Sequence, residues 1–225
     1  MTSPVPVPQV PIPQVVVRGE ATLLVDPEVA DLGVTVTGRA RDRQTALERC
    51  RTRQAEVAAV LEEAGPALEA QETTGVSVHD EPMNGALSQA VASVYTRVTI
   101  GRLDAVGDVV ASLGRLDDVD VSGPTWRLRP DSPHVERARL AAVRDAVRRA
   151  RQYAAAFGAE LTALLEVRDS GLSGGGFEVA GAMASVARFD VGALRLDLSP
   201  ARQEVHGTVE VRFTISRPDQ EVFRG

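Results

Sequence analysis

Alternation and helical spacing account for most of the 225-residue chain. Val15, Val17, Gly19, Ala21, Leu23 and Val25 take every second position, with Arg18, Glu20 and Thr22 between them, which predicts a strand with one buried face. Asp26-Pro27 supplies a turn, and Ala30, Leu32, Val34 and Val36 repeat the pattern against Asp31, Thr35 and Thr37. These two strands are expected to pair as a hairpin. Past Gly38 the period lengthens. Leu47, Cys50, Val57, Leu61 and Ala64 recur at helical intervals, predicting an amphipathic helix that Gly65-Pro66 ends. A second hairpin is predicted from strands near 72–80 and 90–100, joined through Pro82, Asn84 and Gly85, and a short helix near 103–113 follows.

A strand near 119–129 leads to the longest predicted helix, 133–157. Its stripe of Val143, Ala146, Val147, Ala150, Ala154 and Phe157 is rich in alanine, and small residues permit close approach to a sheet. Asp131 or Ser132 is placed to cap it, Pro133 and Glu136 suit its first turn, and Gly158 ends it. A strand at 161–168, a long loop and a last strand at 204–216 complete the chain. That last strand alternates Val205, Val209, Val211, Phe213 and Ile215 against His206, Thr208, Glu210, Arg212 and Thr214. The order ββαββαβαββ indicates an α+β fold, a mainly antiparallel sheet with three helices packed on it. Residues 1–13, with five prolines that favour extended polyproline-II geometry, are expected to form a disordered arm. Residues 14–217 form one domain, or two lobes, with a mobile loop at 171–200, and 218–225 are a tail.

Several segments, taken in order, resemble SIMPL-domain proteins. Val17-Arg-Gly-Glu-Ala followed by Asp26-Pro-Glu-Val-Ala is similar to that family's opening strands, with Glu28 where the family usually has Asp. Thr73-Thr-Gly-Val-Ser-Val resembles its third strand, and Leu103-Asp-Ala-Val-Gly-Asp-Val-Val its Leu-Asp-x-Val-Gly-x-Val helix. Val121-Ser-Gly-Pro-Thr-Trp resembles the strand before the long helix, and Ala138, Ala142, Ala146, Ala150, Ala154 and Gly158 the alanine-spaced helix itself. The resemblance runs from about residue 14 to 217. It implies the family's fold and a tendency to self-associate, together with a link to stress tolerance in bacteria. It implies no catalytic constellation.

Composition narrows the chemistry. All 25 basic residues are arginine, so there is no Walker-A lysine, no Schiff-base lysine and no lysine general base. The single cysteine, Cys50, excludes an internal disulfide and any Cys-rich metal site, and its place on the helix stripe argues for burial. A formal charge of −6 is the wrong sign for a general nucleic-acid binder. No run of eighteen apolar residues could span a bilayer as a helix. The opening residues carry neither a cationic start nor a continuous apolar stretch, so no signal peptide is read and a cytoplasmic protein is expected.

His79, His134 and His206 lack metal-ligand spacing, and the acidic pairs Glu62-Glu63 and Asp117-Asp118 do not face one bond. Arg137, Arg144, Arg148 and Arg151 lie along the outward side of the long helix, where they keep it wet. Ser173-Gly-Gly-Gly lacks the order and the lysine of a phosphate loop. The apolar residues after it suit a contact between subunits, and Met183, Val186 and Phe189 are the candidate interaction residues. A peripheral membrane contact there lacks the basic face that assists one. Together these features point to a non-enzymatic, self-associating module with no catalytic residue, cofactor or metal, expected to be a homo-oligomer. The alternative is a small-molecule-binding protein or hydrolase with a cleft under loop 171–200, using Glu20, His206 or Arg212 on the terminal strands.

Overall fold

The computed structural model describes residues 12–82, 88–169, 188–189 and 196–224. Its elements are β1 (Gln14–Val25), β2 (Val29–Ala40), α1 (Arg43–Ala64), β3 (Leu68–Pro82), β4 (Ser88–Ile100), α2 (Val106–Leu113), β5 (Val119–Arg127), α3 (Pro133–Ala156) and β6 (Leu161–Arg168). Two short strands follow, β7 (Arg188–Phe189) and β8 (Leu196–Asp197), which pair with each other, and then β9 (Gln203–Ile215). The long elements keep the predicted order, and the fold is α+β with antiparallel sheets and three helices. The chain divides into two compact units. One comprises Met1–Val25, Asp131–Ala180 and Glu204–Gly225; the other comprises Asp26–Pro130 and Gly181–Gln203.

The first unit holds a three-stranded sheet in the order β1-β9-β6 with α3. Ile215 N donates to Pro13 O at 3.0 Å, and near the other end of β1 Thr22 meets His206 at 3.0 Å, so β1 and β9 run antiparallel. The hairpin expected between β1 and β2 therefore does not form: β2 pairs with β4 and β5 instead. Alternation fixes which face of a strand is buried but says nothing of its neighbour, and β9 repeats the pattern of β1 over a matching length.

Helix α3 packs through Ala138, Ala142, Ala146, Ala150 and Ala154, all buried at a spacing of four. A side chain at Gly19 would run into the Ala142 carbonyl and Ala146, so helix and strand backbones come into near contact only because both positions are small. The expected stripe is corrected accordingly. Val143 is 39% exposed, because a branched residue facing the sheet would hold the helix away, and Phe157 stacks on Phe223 with ring centroids 6.1 Å apart. Of the two residues placed to cap α3, Ser132 does so, accepting from His134 N at 3.3 Å.

The second unit carries a four-stranded sheet, β3-β4-β2-β5, with α1 packed on β2 and β4 and α2 beside α1. The β3–β4 hairpin forms as predicted, with Val78 opposite Ala92 and Val76 opposite Val94. Leu32, Val34, Leu61, Val98, Ile100 and Leu113 are fully buried, and each such side chain contributes roughly 1.5–3 kcal/mol relative to exposure. In α1 the buried positions are Ala46, Cys50, Val57 and Leu61; Leu47, expected in the stripe, is 47% exposed. Gly38 gives the reason, since its Cα lies against the Ala46 carbonyl and Cys50 amide, a contact that leaves no room for leucine. Asp42 caps α1 by accepting from Thr45 N at 2.8 Å, and Gly65 ends it at a φ of 51°.

Candidate interaction surface

The two edges of the three-stranded sheet are treated differently. At β1, Asp145 of α3 accepts from the Glu20 amide at 3.1 Å, which satisfies a backbone donor that an edge strand would otherwise offer to another chain. That amide bond, with Arg148 and Arg149 beside it, holds the Asp145 carboxyl below the usual aspartate range. Among the described residues β6 has no such cover, and no strand pairs with its outer edge.

β6 reads Leu-Thr-Ala-Leu-Leu-Glu-Val-Arg, and its register with β9 shifts twice, between Leu161 and Ala163 and between Leu164 and Glu166. The shifts place Leu161, Leu164 and Val167 opposite Ile215, Phe213 and Val211, whose side chains are buried on the helix side of the sheet. A spacing of three is thereby brought to one face. Helix α3 covers only its Leu161 end: Ala142 and Ala146 sit on β1 and Ala138 on β9 at Gly207. Leu164 remains 57% exposed and Val167 54%.

Between α3 and β6 lies an open cavity of about 530 Å³, walled by Val147, Arg151 and Ala155 on one side and by Leu161 and Leu164 on the other, with Phe213 in its floor. Val143, one turn before Val147 on the same flank of α3, is also exposed. From Val143 to Ala155 this flank spans about 18 Å at 1.5 Å per residue. The cavity's charged lining is Arg151 on α3 and Glu160 just before β6, both exposed. The trough is apolar below, with one charge of each sign at its rim.

The opposite face of this sheet holds the polar residues that the sequence nominates, and they do not converge. Glu20 pairs with Arg18 at 3.0 Å, His206 with Thr22 and, at 3.5 Å, with Glu204, and Arg212 with Glu166 at 3.6 Å. Arg168 bridges Glu166 and Glu210 at 2.7 and 3.2 Å, completing a cross-strand lattice of alternating charge. Glu20 and His206 are occupied by their own neighbours, while Arg212 has only the longer ion pair to Glu166 and its buried Nε has no hydrogen-bond partner among the described residues; Glu20 and Arg212 stand at different heights along the paired strands. Cys50 donates to Val36 O at 3.6 Å, and burial pushes its thiol up, which suits a packed residue. No group of three His, Cys, Asp or Glu among the described residues could hold a metal ion, and no helix among them is long and apolar enough to cross a membrane.

Of the candidate interaction residues, Met183 and Val186 lie outside the described residues, as does most of the 171–200 loop; the backbone of Phe189 lies in β7, opposite Leu196. The trough itself was missed by sequence reading. Its signal was present as the exposed flank of α3 and the three-residue spacing in β6, but neither belongs to an ordinary strand or helix stripe.

The family model described as SIMPL, protein of unknown function (DUF541), matches residues 15–213, nearly the whole stretch over which the resemblance runs. No curated protein matches the chain.

Proposed function

The chain belongs to the SIMPL family, and on that premise we propose that it is a non-enzymatic interaction module whose copies associate through the trough between α3 and β6. The observation that supports this is the unequal treatment of the sheet edges: on β1 the Glu20 amide is taken up by Asp145, while among the described residues the apolar face of β6 is left open beside an apolar helix flank. Covering Leu164, Val167 and Val143 removes apolar area from water at roughly 25 cal/mol per Å², the usual driving term of association. Nothing in the polar lattice on the other face competes as a reaction centre, because its acids and bases are paired across strands in a pattern of mutual neutralisation. The stress tolerance implied by the family resemblance is taken as the physiological setting, in which assembly rather than turnover is the useful property.

Light scattering behind size exclusion tests the proposal. The full chain at tens of micromolar is expected to elute above its 23.9 kDa monomer mass, and Leu164→Glu to return it to the monomer with an unchanged melting temperature. A monomeric wild type, or an oligomer indifferent to Leu164→Glu, contradicts it.

A further inference from the structure

We infer that the trough over β6 receives the proline-rich segment 1–11 of a second copy, so that the arm of one chain lies across the apolar face that its neighbour leaves open. The inference rests on the self-association proposed above and names the segment that fills the trough. Residues 1–11 themselves lie outside the described residues.

The rim of the trough carries one charge of each sign, Arg151 and Glu160, so it gives no preference to an acidic or a basic partner. The apolar floor between them favours an uncharged occupant. Met1 to Val17 is the longest run of the chain without a charged residue, and within it Val5, Val7 and Val10 interleave with Pro4, Pro6, Pro8 and Pro11.

The period of the floor suits such a segment. Leu161, Leu164 and Val167 repeat every third residue, about 10 Å apart along the strand, and a polyproline-II chain repeats every three residues at about 9.3 Å. That geometry puts Pro4, Val7 and Val10 on one side of the arm, so apolar side chains meet apolar side chains in step. A proline-rich segment is already extended before it binds, which keeps the entropy lost on docking small. It also needs no backbone ladder, whereas the two register shifts in β6 interrupt the row of groups that an added strand would use.

The place where the arm leaves the sheet decides whose trough it fills. β1 and β6 both run antiparallel to β9, and Ile215 is flanked by Pro13, whose carbonyl accepts from its amide at 3.0 Å, and by Leu161. The arm therefore leaves at the Leu161 end of the sheet, two strand spacings or about 10 Å from β6. The direct path to its own trough is taken. The chain after Ile215 passes between the two, with Ser216 N donating to Glu160 O at 2.8 Å and Asp219 N to Phe157 O at 2.9 Å. Entry would also need a sharp reversal next to Pro13, in a run where Pro8, Pro11 and Pro13 each hold the residue before them extended. A neighbouring copy is met without a turn. Six residues at about 3.1 Å each match the roughly 18 Å of the α3 flank, which leaves five of residues 1–11 to cross from one copy to the next.

Sedimentation velocity on the full chain tests this with two variants, Val7→Asp with Val10→Asp in the arm and Leu164→Glu in the trough. Each is expected to associate at least about tenfold more weakly than wild type at an unchanged melting temperature. An equimolar mixture of the two is expected to form a one-to-one pair, because the intact arm of one copy meets the intact trough of the other and neither can add a third. A wild type that assembles while the arm variant assembles equally well overturns the arm contact and leaves self-association standing. Loss of assembly in both variants without a pair in the mixture also overturns it. A monomeric wild type that assembles once Val7 and Val10 are replaced would put the arm in its own trough and overturn the exchange between copies. A chain that stays monomeric in every form removes the self-association itself.

Discussion

Small residues set the distances in this protein. Where α3 meets β1, Gly19 faces Ala142 and Ala146, and a side chain there has nowhere to go. Gly19→Val is therefore expected to destabilise the chain by about 1–3 kcal/mol through overpacking, read as a lower urea midpoint at unchanged m-value. These contacts also explain which residue-scale expectations failed. Val143 and Leu47 look like core by hydrophobicity, but the positions that touch the sheets belong to alanine, because a glycine in the strand draws the helix too close for leucine or valine. The alanine spacing was legible in the sequence; that it displaces the larger residues outward was not. Asp31 supplies a pH-dependent contact at the same scale. Burial pushes its carboxyl up, but bonds from Arg127 at 2.6 Å and Thr99 at 2.8 Å outweigh that and leave it below the usual aspartate range. A carboxyl depressed by folding adds stability above its unfolded value, about 3.9, and loses it as pH falls toward the folded value. Thermal melts from pH 6 to 2.5 should show this loss, and Asp31→Asn should flatten that part of the profile; an unchanged slope would count against the pair.

At the scale of the element, β6 and α1 break ordinary rules, and β6 bears on assembly. Leu161, Leu164 and Val167 repeat every third residue, which matches neither strand alternation nor a helix face, and only the two register shifts bring them together. Bulges have no sequence code as plain as glycine in a turn, so the strand was legible and its face was not. In α1, Glu62 and Glu63 stand near the C-terminal end of the helix dipole with no base in the last turn and no side-chain partner among the described residues. Replacing each by glutamine is expected to stabilise the chain by about 0.3–1 kcal/mol, measured by chemical denaturation at low salt. A loss of stability instead would mean that these acids already have a structural partner.

At the scale of the molecule, the element order and the α+β class follow from periodicity, whereas strand partnership does not. β1 and β2 are adjacent in sequence and separated by a turn, yet the first joins β9 near the chain's end and the second joins β4 and β5. Pairing at such separation is decided by which long apolar faces fit, a property of the folded set of strands that no local pattern contains. The same applies to the trough, which exists because a three-stranded sheet is wider than the single helix laid on it. The proposed self-association therefore rests on one surface. Hydrogen exchange on the intact chain, compared at 1 and 100 µM (roughly the span over which micromolar contacts fill), addresses that surface directly. The peptides covering Leu161–Arg168 and the Leu140–Arg151 stretch of α3 should exchange more slowly at the higher concentration, with the β1 edge at Glu20 unchanged. Equal exchange of both peptides at the two concentrations, in a sample that scattering shows to be assembled, would contradict it.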